Sequence, residues 1–257
     1  ATNQIPFDPV RLSWDRAQLI YICLYYIVLS VPFFFFGLCI AVALSGASEK
    51  SGLLYGADLL GAGMGSIGLL CLMNIMGAEK VVIISSSIAL TGAFVIGGSK
   101  IRAASALLVL LNSLTLLFTG AIEPRMSPYK GLQLALKHPG AEHLKTFNSP
   151  FSRIDIFKSP AVRFAPGLSL KYFDALPEQI GIAIDGGDTN AITHADNKES
   201  LRFLSYLPAA LIYEIGKNDD VLILEPKGGL EVLLAEYYGS KNIYKVDSNP
   251  LAIKVIK

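Results

Sequence analysis

Glu225, Gly228, Gly229 and Asp247 are the residues whose types and spacing point most directly to chemistry. Asp220-Val-Leu-Ile-Leu-Glu225 is an apolar run ending in an acid, and Pro226-Lys-Gly-Gly229 is a turn. Leu230 to Tyr238 has helical spacing, and Ile243-Tyr-Lys-Val-Asp247 is a second apolar run ending in an acid. Strand, glycine turn, helix, strand and acid, in that order, make the first βαβ unit of a nucleotide-binding fold. Glycines let a ligand approach the backbone, and the acid after the second strand accepts hydrogen bonds from ribose hydroxyls. Asp247 lies 22 residues after Glu225, which suits that role. Dinucleotide loops need small residues where Glu225 and Lys227 stand. A carboxylate at the end of the first strand suits a cationic ligand instead. S-adenosylmethionine and its decarboxylated form carry a sulfonium and an amino group, and neither has phosphates. The plainer alternative is a parallel sheet whose turn merely contains two glycines.

The elements that must hold this unit lie upstream. Glu123-Pro-Arg-Met-Ser-Pro-Tyr-Lys130 is rich in breakers, and residues 129–137 read as a short helix closed by Pro139-Gly140. Strand character follows at 142–147, 153–158 and 180–185, where Arg153-Ile-Asp-Ile-Phe157 alternates and Asp185 leads into a Gly186-Gly187 turn. These predict a small antiparallel β-domain over 123–197. Leu201, Leu204, Leu207, Leu211 and Ile215 predict one helix over 198–215, opening a domain at 198–257.

The first half is written for another solvent. No charge lies between Arg16 and Glu49, Asp58 and Glu79, Lys80 and Lys100, or Arg102 and Glu123. Each gap holds a helix of about 20 residues, the length that spans a hydrocarbon core about 30 Å thick. Residues 1–122 are therefore expected to be a membrane region with spans at 18–44, 53–77, 81–98 and 102–121. Gly61-Ala-Gly63-Met-Gly65-Ser-Ile-Gly68 has the spacing of a dinucleotide loop, but its flanks are apolar and no strand precedes it. It is read, with Gly37, Gly92 and Gly97, as small residues that let helices approach. Asp58 is expected about one turn into its helix, in the interface. Arg11, Arg16, Lys80, Arg125 and Lys130 fall on one side of the spans, and Lys50, Lys100 and Arg102 on the other. That bias places the later half of the chain in the cytoplasm.

Composition narrows the classes further. The chain is 52% hydrophobic and 17% charged, with a net charge of +1, and a nucleic-acid binder would show a basic patch. Cys23, Cys39 and Cys71 all lie within the apolar spans without metal spacing, and are read as thiols packed among helices. His138, His143 and His194 are scattered and read as surface or loop residues, so no metal is expected.

Val221-Leu-Ile-Leu-Glu-Pro-Lys-Gly-Gly-Leu-Glu-Val232 and Tyr244-Lys-Val-Asp-Ser-Asn-Pro250 resemble the nucleoside motif of spermidine synthase-like aminopropyltransferases, which share the class I methyltransferase fold. Ser149-Pro-Phe-Ser-Arg-Ile-Asp-Ile156 is similar to a Ser-x-Tyr-Gln-x-Ile-x-Val strand of that family, and Ile182-Ala-Ile-Asp-Gly186 to its Leu-x-Leu-Asp-Gly strand. The chain looks like the bacterial subgroup that fuses a transporter-like membrane region to such a domain. The fold this implies is a multi-span α-helical membrane region, a small antiparallel β-domain and the start of an α/β Rossmann-like domain.

The activity implied by the resemblance is transfer of an aminopropyl group from decarboxylated S-adenosylmethionine to a putrescine-like polyamine. Glu225, Gly228, Gly229 and Asp247 would hold the donor, with Ser152 and Asp185 near the substrate. The implied location is the bacterial inner membrane, with lipid bilayer and polyamine as partners and no nucleic acid. A homo-oligomer is left open. Ser152 and Phe151 stand where the family has Gln and Tyr, Thr189 lies near its second Gln, and Asp196 and Glu199 are remnants of its amine pocket. The family's catalytic acid would fall beyond Lys257, so the chain is expected to be a piece of a longer protein and inactive as it stands. Two other readings stay open: an S-adenosylmethionine-dependent methyltransferase, and a non-catalytic nucleoside- or polyamine-binding domain coupled to a transporter-like region.

Overall fold

The structure, a computed structural model, describes residues 5–117, 126–195, 197–216 and 218–256. The chain divides into two bodies, one carrying the long N-terminal helices and the other running from Met126 onward and including the short segment Met73–Gly77.

In the first body, α1 is Ala17–Gly46, α2 Ser51–Ile75, α3 Ala78–Ile96 and α4 Ser99–Leu117. All four are long and apolar enough to cross a membrane, as the charge-free gaps predict. A helix bonds its own backbone groups internally, which hydrocarbon demands of any spanning segment. The ends differ from expectation by a few residues. The expected continuation of the last span to 121, the boundary at 122 and the Glu123-Pro-Arg exit lie outside the described residues. The Gly61–Gly68 run is helical throughout. Asp58 is the eighth residue of α2, about two turns into the helix.

The packing role given to the glycines is corrected. A side chain at Gly37, Gly61, Gly63, Gly65, Gly68 or Gly92 would meet open space; only Gly97 of this set is crowded, by Ile101 and the Ala93 carbonyl. The cysteines are likewise exposed rather than packed among helices. For the cysteines and for Gly37, Gly61, Gly63, Gly65 and Gly68 the reason is the same, since all lie on α1 or α2. The extensive helix pairing among the described residues is α3 with α4, whereas α1 and α2 turn their sides outward. Between α3 and α4, Asn112 Nδ2 donates to Ser86 Oγ at 2.8 Å and to Ser87 Oγ at 3.1 Å.

The second body joins what the sequence divides at 197. Helix α5 (Gly131–Leu136) precedes an antiparallel sheet of β1 (Glu142–Asn148), β2 (Arg153–Lys158), β3 (Gln179–Ile184) and β4 (Asp188–Thr193) in that order. Strand β4 was not expected. Asp185 and Gly186, both at positive φ, turn the chain tightly enough to pair it with β3. Strand alternation sorts the sheet into two apolar faces. Phe157 and Ala183 pack with Leu132 of α5. Ile154 and Ile182 pack with Ala252 of α8 (Pro250–Ile256), a helix the sequence reading also missed.

The single helix expected over 198–215 is broken. A one-turn 3-10 helix covers Arg202–Tyr206, Leu207 is extended at ψ 147°, and α6 is only Ala210–Ile215. Pro208 is the cause, since proline forces the residue before it out of helical geometry. Leu204 and Leu207 are buried as the periodicity predicts, but Leu211 and Ile215 are exposed.

The βαβ unit forms as read. Strand β5 (Asp220–Leu224) pairs in parallel with β6 (Asn242–Val246) around α7 (Leu230–Tyr237). Ile223, Val221 and Ile243 turn toward Val232 and Ala235 of α7. The opposite face carries two ladder pairs, Leu222 beside Tyr244 and Leu224 beside Val246, and all four side chains are exposed.

Candidate functional site at the carboxyl ends of β5 and β6

The parallel register sets Leu224 beside Val246, so Glu225 and Asp247 leave their strands next to each other. Glu225 N–H donates to the Val246 carbonyl at 2.7 Å, extending the ladder by one step. Ligands of open α/β sheets bind at this end of the strands. Ser248 Oγ lies 3.5 Å from Glu225 Oε1. Asp247 Oδ1 accepts from Asn249 N–H at 2.7 Å, a local turn that aims the chain into α8.

Asn249 brings in the antiparallel sheet. Its amide Nδ2 donates to Ser152 Oγ at 2.5 Å, and its Oδ1 accepts from Leu251 N–H at 3.1 Å. The residue is buried, so one side chain both caps α8 and fastens it to the β1–β2 turn. Ser152, expected near the substrate, is thereby tied to Asn249, two residues from Asp247, with its hydroxyl engaged by the protein. Asp185 is one step further off. Its Oδ1 accepts from Arg153 N–H at 2.9 Å, and its carbonyl takes the Lys130 ammonium at 2.5 Å. Its carboxylate starts β2.

The turn itself is unusual. Glu225 (φ 51°), Lys227 (φ 46°) and Gly229 (φ 81°) all adopt the left-handed region, and only the last is free of a Cβ penalty. Gly229 caps α7, and Pro226 between the two acyclic outliers is buried. A side chain at Gly228 would run into the Ala191 carbonyl of β4. The glycine at 228 is therefore required by a protein contact. Lys227 Nζ pairs with Asp188 Oδ2 at 2.7 Å. That hydrogen bond, with the charges of Asp188, Glu225 and Glu231, raises the lysine's pKa against the cost of its partial burial. Lys227 bonds Asp188 and also feels the charge of Glu225, and the register places the two acids Glu225 and Asp247 at the strand ends.

The most tightly bonded polar group lies elsewhere. Asp155 is fully buried, and its carboxylate accepts from Arg153 Nε and Nη2 at 2.9 Å each, Thr146 Oγ1 at 2.6 Å and His143 Nε2 at 2.9 Å. Burial pushes its pKa up, and these hydrogen bonds more than reverse the effect, leaving it below the usual value. His143, expected as a bystander, belongs to this cluster. The cluster is not a nucleophile relay. His143 uses the same nitrogen, Nε2, toward both Asp155 and Thr146 (3.1 Å), so it cannot pass a proton between them.

Clefts on the described part of this body include three of note. One, about 600 Å³, is lined by Lys198, Glu199, Arg202, Ser205, Glu214 and Tyr237. Its two cations and two acids balance, and Lys198 already sits 5.1 Å from the Tyr237 ring while Glu214 holds the Tyr238 hydroxyl at 3.0 Å. Glu199 lines this charge-balanced cleft, and Asp196 lies outside the described residues. The others, about 350 and 210 Å³, lie against Tyr238 and beneath α5. Glu225, Gly228, Gly229 and Asp247 line none of the three. Among the described residues no three His, Cys, Asp or Glu side chains are placed to hold a metal. No family model matches the chain, and neither a curated protein nor a solved structure matches it.

Proposed function

We propose that this chain is a membrane-anchored, spermidine synthase-like transferase whose second body holds the nucleoside of decarboxylated S-adenosylmethionine. The observation that carries the reading is the register of β5 and β6, which sets Glu225 and Asp247 side by side at the strand ends. Asp247 accepts the ribose hydroxyls through the carboxylate oxygen that Asn249 leaves open. Glu225 faces the sulfonium and ammonium. The decarboxylated donor is preferred over S-adenosylmethionine because a donor carboxylate would be repelled by both acids.

In the reaction, a polyamine nitrogen attacks the carbon beside the sulfonium, the carbon–sulfur bond breaks, and methylthioadenosine leaves with its electron pair. The amine proton passes to a base, a role that no described residue is assigned. Holding the donor in line with the amine supplies most of the acceleration open to such a displacement. The membrane region anchors this body at a bacterial inner membrane, on the cytoplasmic side favoured by the lysine and arginine bias.

A second reading, nucleoside binding without transfer, draws on Ser152, whose hydroxyl is committed to Asn249. Calorimetry on the full chain in lipid nanodiscs tests both. Binding of the decarboxylated donor, at least about tenfold weaker in Asp247→Asn, is expected. The asparagine keeps the acceptor for Asn249 N–H and removes only the charge. Equal affinity in the variant sinks the ribose role. Preference for S-adenosylmethionine moves the assignment to a methyltransferase, and binding of methylthioadenosine or putrescine but of neither donor leaves the binding reading.

A further inference from the structure

The turn that presents Glu225 does not hold itself. Residues 225 and 227 bear side chains in left-handed backbone, a conformation that costs on the order of 1 kcal/mol or more at each position. A five-residue turn with that cost persists only where its surroundings over-determine it. Those surroundings are β4. Lys227 reaches Asp188 at 2.7 Å, and Asn190 Nδ2 steadies the other oxygen of that carboxylate at 3.1 Å. Gly228 lies directly against the carbonyl of Ala191, the residue after Asn190 on the same strand. Pro226 is buried between these contacts and the strand end.

We infer that Lys227 and Asp188 are positioning residues for the donor site: the antiparallel sheet, through β4, sets the conformation in which the turn offers Glu225 to a cationic ligand. The inference rests on the nucleoside reading above. Neither residue touches the ligand in this account. Breaking the pair lets the turn relax from its left-handed conformation, and apparent affinity falls with the fraction of molecules still holding it. Lys227 and Asp188 are each partly exposed, so the pair alone has a modest effect, and the close seat of Gly228 supplies the rest.

The test uses the full chain in nanodiscs, with decarboxylated S-adenosylmethionine as probe and amide exchange of residues 225–229 as a second readout. Lys227→Met and Asp188→Asn are expected to weaken binding about fivefold and to speed exchange in the turn. Lys227→Arg retains affinity, and the exchanged pair Lys227→Asp with Asp188→Lys restores it. Gly228→Ala, which drives the turn off β4, weakens binding by more than about tenfold. Wild-type binding that Lys227→Met leaves unchanged, with unchanged exchange, overturns the inference. If the wild-type chain binds no donor, the nucleoside reading fails by itself. The bracing is then decided by exchange alone: faster exchange reversed by the exchanged pair upholds it, and indifference overturns it.

Discussion

Arg153 and Asp155 stand two residues apart on β2, on one face of the sheet, and the guanidinium closes on the buried carboxylate with two 2.9 Å contacts. Alternation along the strand makes this meeting automatic once β2 is extended. Thr146, directly across the ladder from Asp155, adds the 2.6 Å bond. Asp155→Ala would remove the buried carboxylate on which Arg153, Thr146 and His143 converge. We expect a loss of about 3 kcal/mol of stability, read as a lowered unfolding midpoint in detergent. A change under about 1 kcal/mol would show that the cluster is ornamental.

The same carboxylate sets an acid limit. Its folded pKa lies below its unfolded value of roughly 3.9, so its contribution is complete above that pH and is lost as pH falls through the lower folded value. Wild-type protein should therefore lose more of its melting temperature between about pH 5 and 2 than Asp155→Asn does. Parallel curves for the two proteins would remove Asp155 from the acid transition.

Gly181 pairs across the ladder with Phe157, whose buried ring lies over the glycine. A methyl group there would collide with the ring, which is held by Leu132 of α5 and cannot retreat. Gly181→Ala is expected to cost about 2 kcal/mol, and the double change with Phe157→Leu to recover part of it. Equal melting of Gly181→Ala and wild type would mean that the ring yields freely.

In the first body, Asn112 links α4 to two serines of α3. Lipid offers no competing partner for that amide, yet such bonds in membranes are modest. Asn112→Leu should destabilise the α3–α4 pair by about 1 kcal/mol, measured by unfolding in mixed micelles. Alanine at both Ser86 and Ser87 should have the same effect and add nothing to the Asn112 change.

Charge-free gaps and short-range order carried much of this fold in the open. The four long helices follow from where lysine, arginine and acids are missing, and the βαβ unit from an apolar run, two glycines and an acid. What stayed hidden depends on contacts distant in sequence. Strand β4 alternates only weakly, because Asp188 and Asn190 are polar and partly exposed. Without β4 the need for glycine at 228 has no visible cause. His143 sits at a register shift in β1, so its meeting with Asp155 is invisible until the pairing is known. Pro208 is a local signal, and it outweighs the leucine spacing that spans it.

The bare ladder of Leu222, Tyr244, Leu224 and Val246 governs how this protein behaves in the tube. Among the described residues β5 pairs with β6 alone, and four large apolar side chains on that ladder invite sheet-to-sheet sticking between molecules. Colloidal behaviour will therefore worsen with concentration even where every fold-holding bond is intact, and light scattering will register it before any loss of helical signal.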